Sequence, residues 1–295
     1  MVFSCSKCEN AYTKPMKYID THAHMNFVIY DQDRDDVIAR TQNDSVAVIN
    51  VGTQRDTSKL AVELADQHGH LWAIIGLHPI HTTESFHDHA EVGEDGNEFT
   101  SRGEVFDYDY YKTLAQSSGR VVGIGECGLD YYRNTKETRA AQEKAFRGQI
   151  ELALELDLPL MLHVRPSEES MDAYHDVLSI LREYAENPRL RGQTHFFAGT
   201  PEIAQEFINL GFYISFTGVI TFASVYEKLV KAVPMDRILS ETDAPYVTPH
   251  PYRGQRNEPS HVREVLAKIA RLKKVDEDDM AGQVMENART LYRLA

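Results

Sequence analysis

Short runs rich in β-branched and apolar residues recur along this chain, and stretches with helical spacing separate them. Eight such runs stand out: Tyr18–His22, Ser45–Val51, Trp72–His78, Val121–Glu126, Pro159–Val164, Gln193–Phe197, Tyr213–Gly218 and Arg237–Asp243. Several, such as Val121-Val-Gly-Ile and Leu160-Met-Leu, are continuously apolar rather than alternating. A strand reads that way when both faces are covered, as in a parallel sheet lying under helices. Thr57–His68 sets Leu60, Ala61, Leu64 and Ala65 on one helical face, and Thr138–Leu156 does the same with Ala141, Ala145, Ile150, Leu152 and Leu156. Met171–Tyr184, Glu202–Asn209, Tyr226–Val233 and His261–Leu272 continue the alternation, and a helix over Asp276–Leu294 closes it. Eight alternating units predict a closed (β/α)8 TIM barrel, an α/β fold whose single domain typically takes about 250 residues. The domain is assigned to residues 17–295, with 1–16 as an N-terminal extension.

That architecture changes the meaning of scattered polar residues, because every strand of such a barrel points its C-terminal end at one face. Five of the runs carry a good metal ligand at or near that end. The first ends Asp20-Thr-His22-Ala-His24, the fourth Gly125-Glu126, and the later ones bring His163, His195 and Asp243. A lone strand histidine is more often a satisfied core residue than a ligand; agreement across five strand ends is what carries the reading. A catalytic zinc needs three protein ligands and a water. Six ligands therefore point to two divalent ions about 3.5–4 Å apart, sharing a carboxylate and a water. Glu126 is the candidate bridge and a catalytic residue. His22 and His24 would hold one ion, His163 and His195 the other. Asp243 would bind through one oxygen and take the proton of the bridging water through the other, the second catalytic role. Mg, Mn and Zn are the candidates, and mixed imidazole and carboxylate ligation suits Mn or Zn better than Mg. Cys127 follows Glu126 and is expected to face the other way as a buried thiol.

Net charge narrows the substrate. At −14, with no Lys/Arg run, the chain lacks the basic face that holds long nucleic acid nonspecifically. Contact with a nucleic acid would be small and local, with bound cations reversing the field at the site. No apolar run approaches the ~20 residues of a membrane span, and the N-terminus lacks a secretory pattern. A cytoplasmic protein with no membrane contact and no obligate protein partner is expected. Three cysteines make no disulfide framework. Cys5 and Cys8 have CxxC spacing without a second pair, so half a zinc site, a redox pair or an unstructured extension all remain open. Two connections are long: His81–Asp107, which is acidic, and Thr242–Ser260, which is rich in Pro and Gly and carries Arg253 and Arg256.

Several stretches resemble the TatD-type deoxyribonucleases, a family of metal-dependent hydrolases. They are Asp20-Thr-His-Ala-His24, Gly76-Leu-His-Pro79, Gly125-Glu-Cys-Gly-Leu-Asp-Tyr-Tyr132, Leu162-His-Val-Arg165, His195-Phe-Phe-Ala-Gly199, Glu241-Thr-Asp-Ala-Pro-Tyr246 and Arg256-Asn-Glu-Pro259. They occur in the family's order and cover nearly the whole chain from residue 17. The resemblance implies a TIM barrel, with His22, His24, Glu126, His163, His195 and Asp243 at the family's metal positions. It also implies hydrolysis of phosphodiester bonds in DNA, often as a 3′→5′ exonuclease. The chain departs from the family at Phe196 and Ala198, where Cys and Ser are usual, at Pro166-Ser167, and in the long acidic 81–107 connection.

Three readings follow. In the first, a water activated by two metals cleaves DNA at its ends. Arg165, Arg253 or Arg256 would then contact phosphates, and Tyr131, Tyr132 and Tyr246 would stack on bases, unless the arginines are ion-paired and the tyrosines simply pack the barrel top. In the second, an amidohydrolase-like or esterase site acts on a small cyclic amide, lactone or aminoacyl ester. Glu126 stands where such enzymes often carry a bridging modified lysine, which disfavours this reading. The third, a binding module without catalysis, leaves a complete ligand set without a purpose.

Overall fold

All eight expected strands form, and they hydrogen-bond side by side in chain order as one parallel sheet. The computed structural model describes residues 16–84, 86–87, 99–100, 102–132 and 136–294. The strands are β1 (Tyr18–Ala23), β2 (Val46–Val51), β3 (Leu71–Ile75), β4 (Val121–Asp130), β5 (Leu160–Arg165), β6 (Gly192–Thr194), β7 (Phe212–Phe216) and β8 (Ile238–Ser240). β8 returns to β1, where Thr21 Oγ1 donates to Ser240 O at 3.1 Å and Ala23 bridges Ala244, so the sheet curls into a nearly closed (β/α)8 barrel. β2 and β4 are buried along their whole length, which is why Val46–Ile49 and Val121–Ile124 read as unbroken apolar runs.

Nine helices are described: α1 (Arg34–Asn43), α2 (Arg55–Gln67), α3 (Tyr108–Gln116), α4 (Lys136–Leu156), α5 (Asp172–Arg182), α6 (Pro201–Asn209), α7 (Glu227–Ala232), α8 (Val262–Lys273) and α9 (Glu277–Tyr292). The hydrophobic pattern gave all but α1 and α3. α1 buries Val37, Ile38 and Thr41, and α3 buries Tyr111 and Ala115, stripes too thin to stand out from the surrounding polar residues. Asp107 starts α3 by accepting from Tyr110 N at 3.1 Å, a capping signal the pattern does not weigh.

The differences from expectation gather at the C-terminal strand ends. β6 stops at Thr194 and β8 at Ser240, short of His195 and Asp243. Phe196 has φ 41° and Asp243 φ 56°, left-handed conformations that cannot continue a ladder. β4 instead runs past its expected end to Asp130, with its register against β5 shifting between Ile124 and Cys127. The irregularity needs glycine. Gly125 (φ +148°) and Gly128 (φ +138°) press on β5, and a Cβ would come within 2.4 Å of Met161 O and 2.1 Å of His163 O respectively. Bulges of this kind re-aim a side chain, and the one re-aimed here is Glu126.

The other barrel end is closed by α9, whose Tyr292 hydroxyl donates to Gln193 Oε1 at 2.8 Å inside the sheet. Among the described residues no helix is long and apolar enough to cross a membrane. Cys5 and Cys8, and residues 85, 88–98 and 101 of the acidic 81–107 connection, lie outside the described residues.

Candidate metal centre

β1 brings the first pair of imidazoles. His22 Nε2 and His24 Nε2 lie 3.0 Å apart with their rings nearly perpendicular. His24 Nδ1 sits 2.8 Å from Val51 O, which can only accept, so the far nitrogen holds the proton and Nε2 turns a lone pair inward. Asp20 pins this strand exit to the segment after β8, since its Oδ1 accepts from His22 N at 3.2 Å and Thr242 N at 2.9 Å. Asp243 is held beyond its strand by its own amide, which donates to His22 O at 2.9 Å, and by His24 N donating to Ala244 O at 2.8 Å. Its Oδ1 reaches within 3.6 Å of His22 Nε2 and 3.5 Å of His24 Nε2.

The second pair comes from β5 and the exit of β6. His163 Nδ1 and His195 Nε2 are 3.3 Å apart. His163 Nε2 donates to Asp130 Oδ2 at 2.9 Å, and His195 Nδ1 faces Glu241 Oε1 at 3.3 Å. Glu241 is itself held by Phe196 N at 2.6 Å and Gln193 Nε2 at 2.7 Å.

Glu126 stands between the pairs and divides its oxygens. Oε2 lies 3.4 Å from His22 Nε2 and 3.7 Å from His24 Nε2, while Oε1 lies 2.8 Å from His195 Nε2 and 3.0 Å from His163 Nδ1. Around an ion with bonds of about 2.1 Å, tetrahedral donors sit about 3.4 Å apart. The donor set fits a cation on chemical grounds as well. His163 Nδ1 bears a lone pair once Nε2 donates to Asp130, and a lone pair 3.0 Å from a carboxylate oxygen is repulsive unless a proton or a metal lies between. Among the described residues, three donor groups are close enough to share an ion: His22, His24 and Asp243; His22, His195 and Glu241; and His78, Glu126 and His163.

Charge is distributed unevenly over this cluster. Burial and the neighbouring His195 push the His22 pKa down. Burial also opposes charge on His163 and His195, but Asp130 and Glu126 hold His163 above its ordinary value, and Glu126 and Glu241 hold His195 well above it. Glu126, although buried, is kept well below the usual carboxylate range by His195, His78 and His22. Asp243 is likewise lowered against its burial, through its hydrogen bond with His24 and the field of His195. Cys127 is buried, its thiol pushed well up, with Sγ 3.5 Å from Met161 O and outside the donor set.

All six candidate ligands read from the sequence thus lie close together. The reading missed His78, Asp130 and Glu241. His78 lies in Gly76-Leu-His-Pro79, past the end of β3, and its side chain faces Glu126 at 3.4 Å. Asp130 was hidden because β4 was expected to end at Glu126. The candidate substrate residues are more dispersed. Arg165 lies two residues beyond His163 in β5, on the same strand face, its guanidinium 3.9 Å from the Tyr132 ring. Tyr131 is 5 % exposed, bonded to Asp176 at 3.0 Å and covered by Arg139 at 3.7 Å. Arg253 donates to Thr248 O at 3.0 Å and lies over Phe222. Arg256 is paired with both oxygens of Asp33 and donates to Ile29 O at 2.9 Å. Tyr246 is half-buried beside Asp243, its amide donating to Asp243 O at 2.8 Å.

An eight-stranded barrel that gathers imidazoles and carboxylates at its C-terminal face is the architecture of a metal-dependent hydrolase. The chain belongs to the TatD-related DNase family, whose model matches residues 19–293. It is 38 % identical over 278 residues to YabD of Bacillus subtilis, described as an uncharacterized metal-dependent hydrolase, covering 93 % of this chain and 98 % of that one. It is 33 % identical to the TatD 3′-5′ ssDNA/RNA exonuclease of Citrobacter koseri, over 90 % of this chain and 94 % of that one. Among solved structures, YjjV, a TatD homologue from Escherichia coli, superposes with a TM-score of 0.77 at 25 % identity, covering 95 % and 99 % of the two chains. The protein is a metal-dependent hydrolase of this family.

Proposed function

We propose that this protein is a deoxyribonuclease of the 3′→5′ exonuclease type, which hydrolyses phosphodiester bonds with two divalent ions held by His22, His24, Glu126, His163, His195 and Asp243. The observation that carries the two-ion reading is the division of Glu126, one oxygen facing His22 and His24 and the other His163 and His195. Mg, Mn and Zn are the candidate ions. Bound there, they would supply Lewis acidity to a phosphoryl oxygen and bring the pKa of water down toward about 7. The chain's own groups do the rest. Glu126 holds the two donor sets in one frame. Asp243, with its pKa lowered, is ionised at neutral pH and accepts the proton of the attacking water. The choice of DNA is supported by the family and by the exonuclease relative.

Phosphate contacts are assigned to Arg165 and, further out, to Arg253, and base stacking to Tyr132, whereas Arg256, paired with Asp33, is assigned to the fold. Tyr131, packed between Asp176 and Arg139, is left to support the barrel top. A few local cations suit a chain of net charge −14 that cannot hold long DNA by a basic face. The protein is assigned to the cytoplasm, with residues 17–295 as its one catalytic domain.

The test is hydrolysis of single-stranded DNA, duplex DNA and RNA labelled separately at each end. It is run on chelated protein and after restoring Mg, Mn or Zn. Metal-dependent release of mononucleotides from the 3′ end is expected. Rapid turnover of lactones or carboxylic esters with DNA left intact would overturn the proposal in favour of the small-ester reading.

A further inference from the structure

Three imidazoles in this cluster, His24, His163 and His78, are hydrogen-bonded so as to show which nitrogen carries the proton, and one of them is reversed. His24 and His163 turn their outer nitrogens to acceptors, Val51 O at 2.8 Å and Asp130 Oδ2 at 2.9 Å, and His195 turns its own toward Glu241 Oε1 at 3.3 Å. Each therefore turns its outer nitrogen to an acceptor and leaves the inner nitrogen for a metal once any second proton is displaced. In His78 the outer nitrogen meets a donor: Nδ1 accepts the amide of Ile80 at 3.2 Å, capping the short turn Pro79–Thr82. A backbone N–H can only donate, so Nδ1 holds the lone pair and the neutral ring carries its proton on Nε2. Nε2 is the atom that looks into the cluster, 3.4 Å from Glu126 Oε1.

We propose that His78 is a catalytic N–H donor and not a metal ligand, its Nε2–H hydrogen-bonding a non-bridging phosphoryl oxygen of the substrate. The proposal rests on the phosphodiester reading above. His78 lies near enough to Glu126 and His163 to be counted with them as a possible metal donor set, but metal binding at Nε2 would require breaking the Ile80 contact or removing a second proton from the ring. Once Glu126 Oε1 is engaged by the His163 and His195 side of the site, the Nε2–H needs another acceptor. The oxygen on which charge builds during phosphoryl transfer is the partner of matching chemistry.

The placement is rigid, as such a donor must be. His78 N donates to Thr53 O at 2.8 Å, and the ring packs against His163 with centroids 4.2 Å apart. Just upstream, Gln149 clamps both backbone groups of Leu77 at 2.9 Å. Gly76 makes room for that clamp, since a Cβ there would meet Gln149 Oε1 at 2.4 Å.

Histidine-selective 15N NMR on the wild-type protein tests the tautomer directly. His78 is expected to show the Nε2–H pattern both before and after Zn addition, while His163 and His195 shift when Zn binds. A Zn-dependent shift of His78 Nε2 would make it a ligand and end the proposal. His78→Phe should keep full metal stoichiometry and a KM within a few-fold of wild type, with kcat lowered about 100-fold or more, the usual cost of one oxyanion donor. His78→Gln, which retains an N–H, should recover about tenfold of that loss. Unchanged kcat in His78→Phe would reduce the residue to a turn cap. Loss of one metal equivalent in a folded His78→Phe would also refute the proposal. If no phosphodiester is cleaved by the wild type, the functional reading fails, and the NMR result still decides whether His78 is a ligand.

Discussion

The two halves of the candidate metal centre are built from the same residue types but are prepared differently. The His22 half is fixed by backbone. Asp243 N bonds His22 O, His24 N bonds Ala244 O, and the outer nitrogen of His24 meets a carbonyl. Its His22 is fully buried with its pKa pushed down, so that ring is neutral and ready to bind. The His163 half is fixed by carboxylates. Asp130 and Glu241 stand behind its two rings, and with Glu126 they raise both pKa values. The first half therefore offers a lone pair from His22 without competition from a proton, whereas the second holds protons that a metal must displace. Carboxylates behind an imidazole make it a stronger ligand but also a better base. The halves meet in Glu126, which faces both, and where the His22 and His195 rings stack 3.9 Å apart, so breaking Glu126 should remove the carboxylate that ties them together.

Glu126→Ala is accordingly the largest expected effect. We expect hydrolysis to fall below detection and metal content to fall by at least one equivalent, with the circular dichroism spectrum preserved. The removed carboxylate faces five imidazoles directly, from His22, His24, His78, His163 and His195. Retention of more than about a tenth of wild-type activity, on a scale where a tenfold loss is 1.4 kcal/mol of barrier, with full metal occupancy would disprove the bridge.

Asp243→Asn comes next, and it probes the His22 half alone. Asparagine tolerates the left-handed backbone at this position as well as aspartate does, and it keeps one coordinating oxygen but cannot take a proton. Near-normal metal content and substrate Kd are expected, with kcat reduced about 10²–10⁴-fold, the range of a general base. Measuring all three on one preparation decides the matter. A kcat close to wild type removes the base role, and a loss that tracks missing metal makes Asp243 a ligand only.

How much of this was legible beforehand depended on whether a residue's role could be read locally. His22, His24, Glu126, His163, His195 and Asp243 sit at the ends of strongly apolar runs, and the barrel rule turns such ends into one site. Asp130 was invisible because the Gly125 and Gly128 bulge that carries β4 onward depends on contact with Met161 and His163, far off in sequence. Glu241 needed the φ of 41° at Phe196 to bring that residue's amide onto its carboxylate. His78 was quoted in a motif without a role, since its meaning lies in which nitrogen Ile80 contacts. The arginines failed differently. Nothing in the sequence says that Arg256 finds Asp33, a residue more than 220 positions away.

The contrast in protonation predicts a pH dependence. His163 and His195 have raised pKa values, so the stabilisation they gain from Glu126, Asp130 and Glu241 is fully present below the unfolded value near 6.5. In metal-free protein it is lost as pH rises through the folded values. Metal affinity should run the opposite way, because fewer protons compete as pH rises. The gap in Tm between loaded and stripped protein should therefore widen from pH 6 to pH 8. Calorimetric titration in buffers of different ionisation enthalpy should show at least one proton released when Zn fills the His163 half, measured in a His22→Ala variant. Proton-neutral binding there would mean the two halves are prepared alike.

The smallest effects are expected at the rims, where the same contrast continues. Arg256 borders the His22 half through the loop after β1. It is held by Asp33, by Ile29 O and by the Tyr30 ring 4.4 Å away, which leaves it little freedom to follow a phosphate. Arg165 borders the His163 half, on the same strand face as His163, and its charge is felt by Asp130. A cation on the same strand face as His163 should act on substrate binding, whereas a loop-borne one paired with Asp33 should act on the fold. Arg165→Ala should raise KM for single-stranded DNA by about tenfold and flatten the salt dependence of binding by about one counterion. Arg253→Ala should weaken DNA binding a few-fold and leave turnover of bis(p-nitrophenyl) phosphate unchanged. Arg256→Ala should barely change either constant. It should lower stability by about 0–1 kcal/mol, as removal of a half-exposed ion pair does. The discriminating measurement is KM for DNA and for the small diester in all three variants, at two salt concentrations. Should Arg256→Ala raise KM for DNA as much as Arg165→Ala, the rim of the His22 half also grips the substrate, and the two halves differ only in how their metals are held.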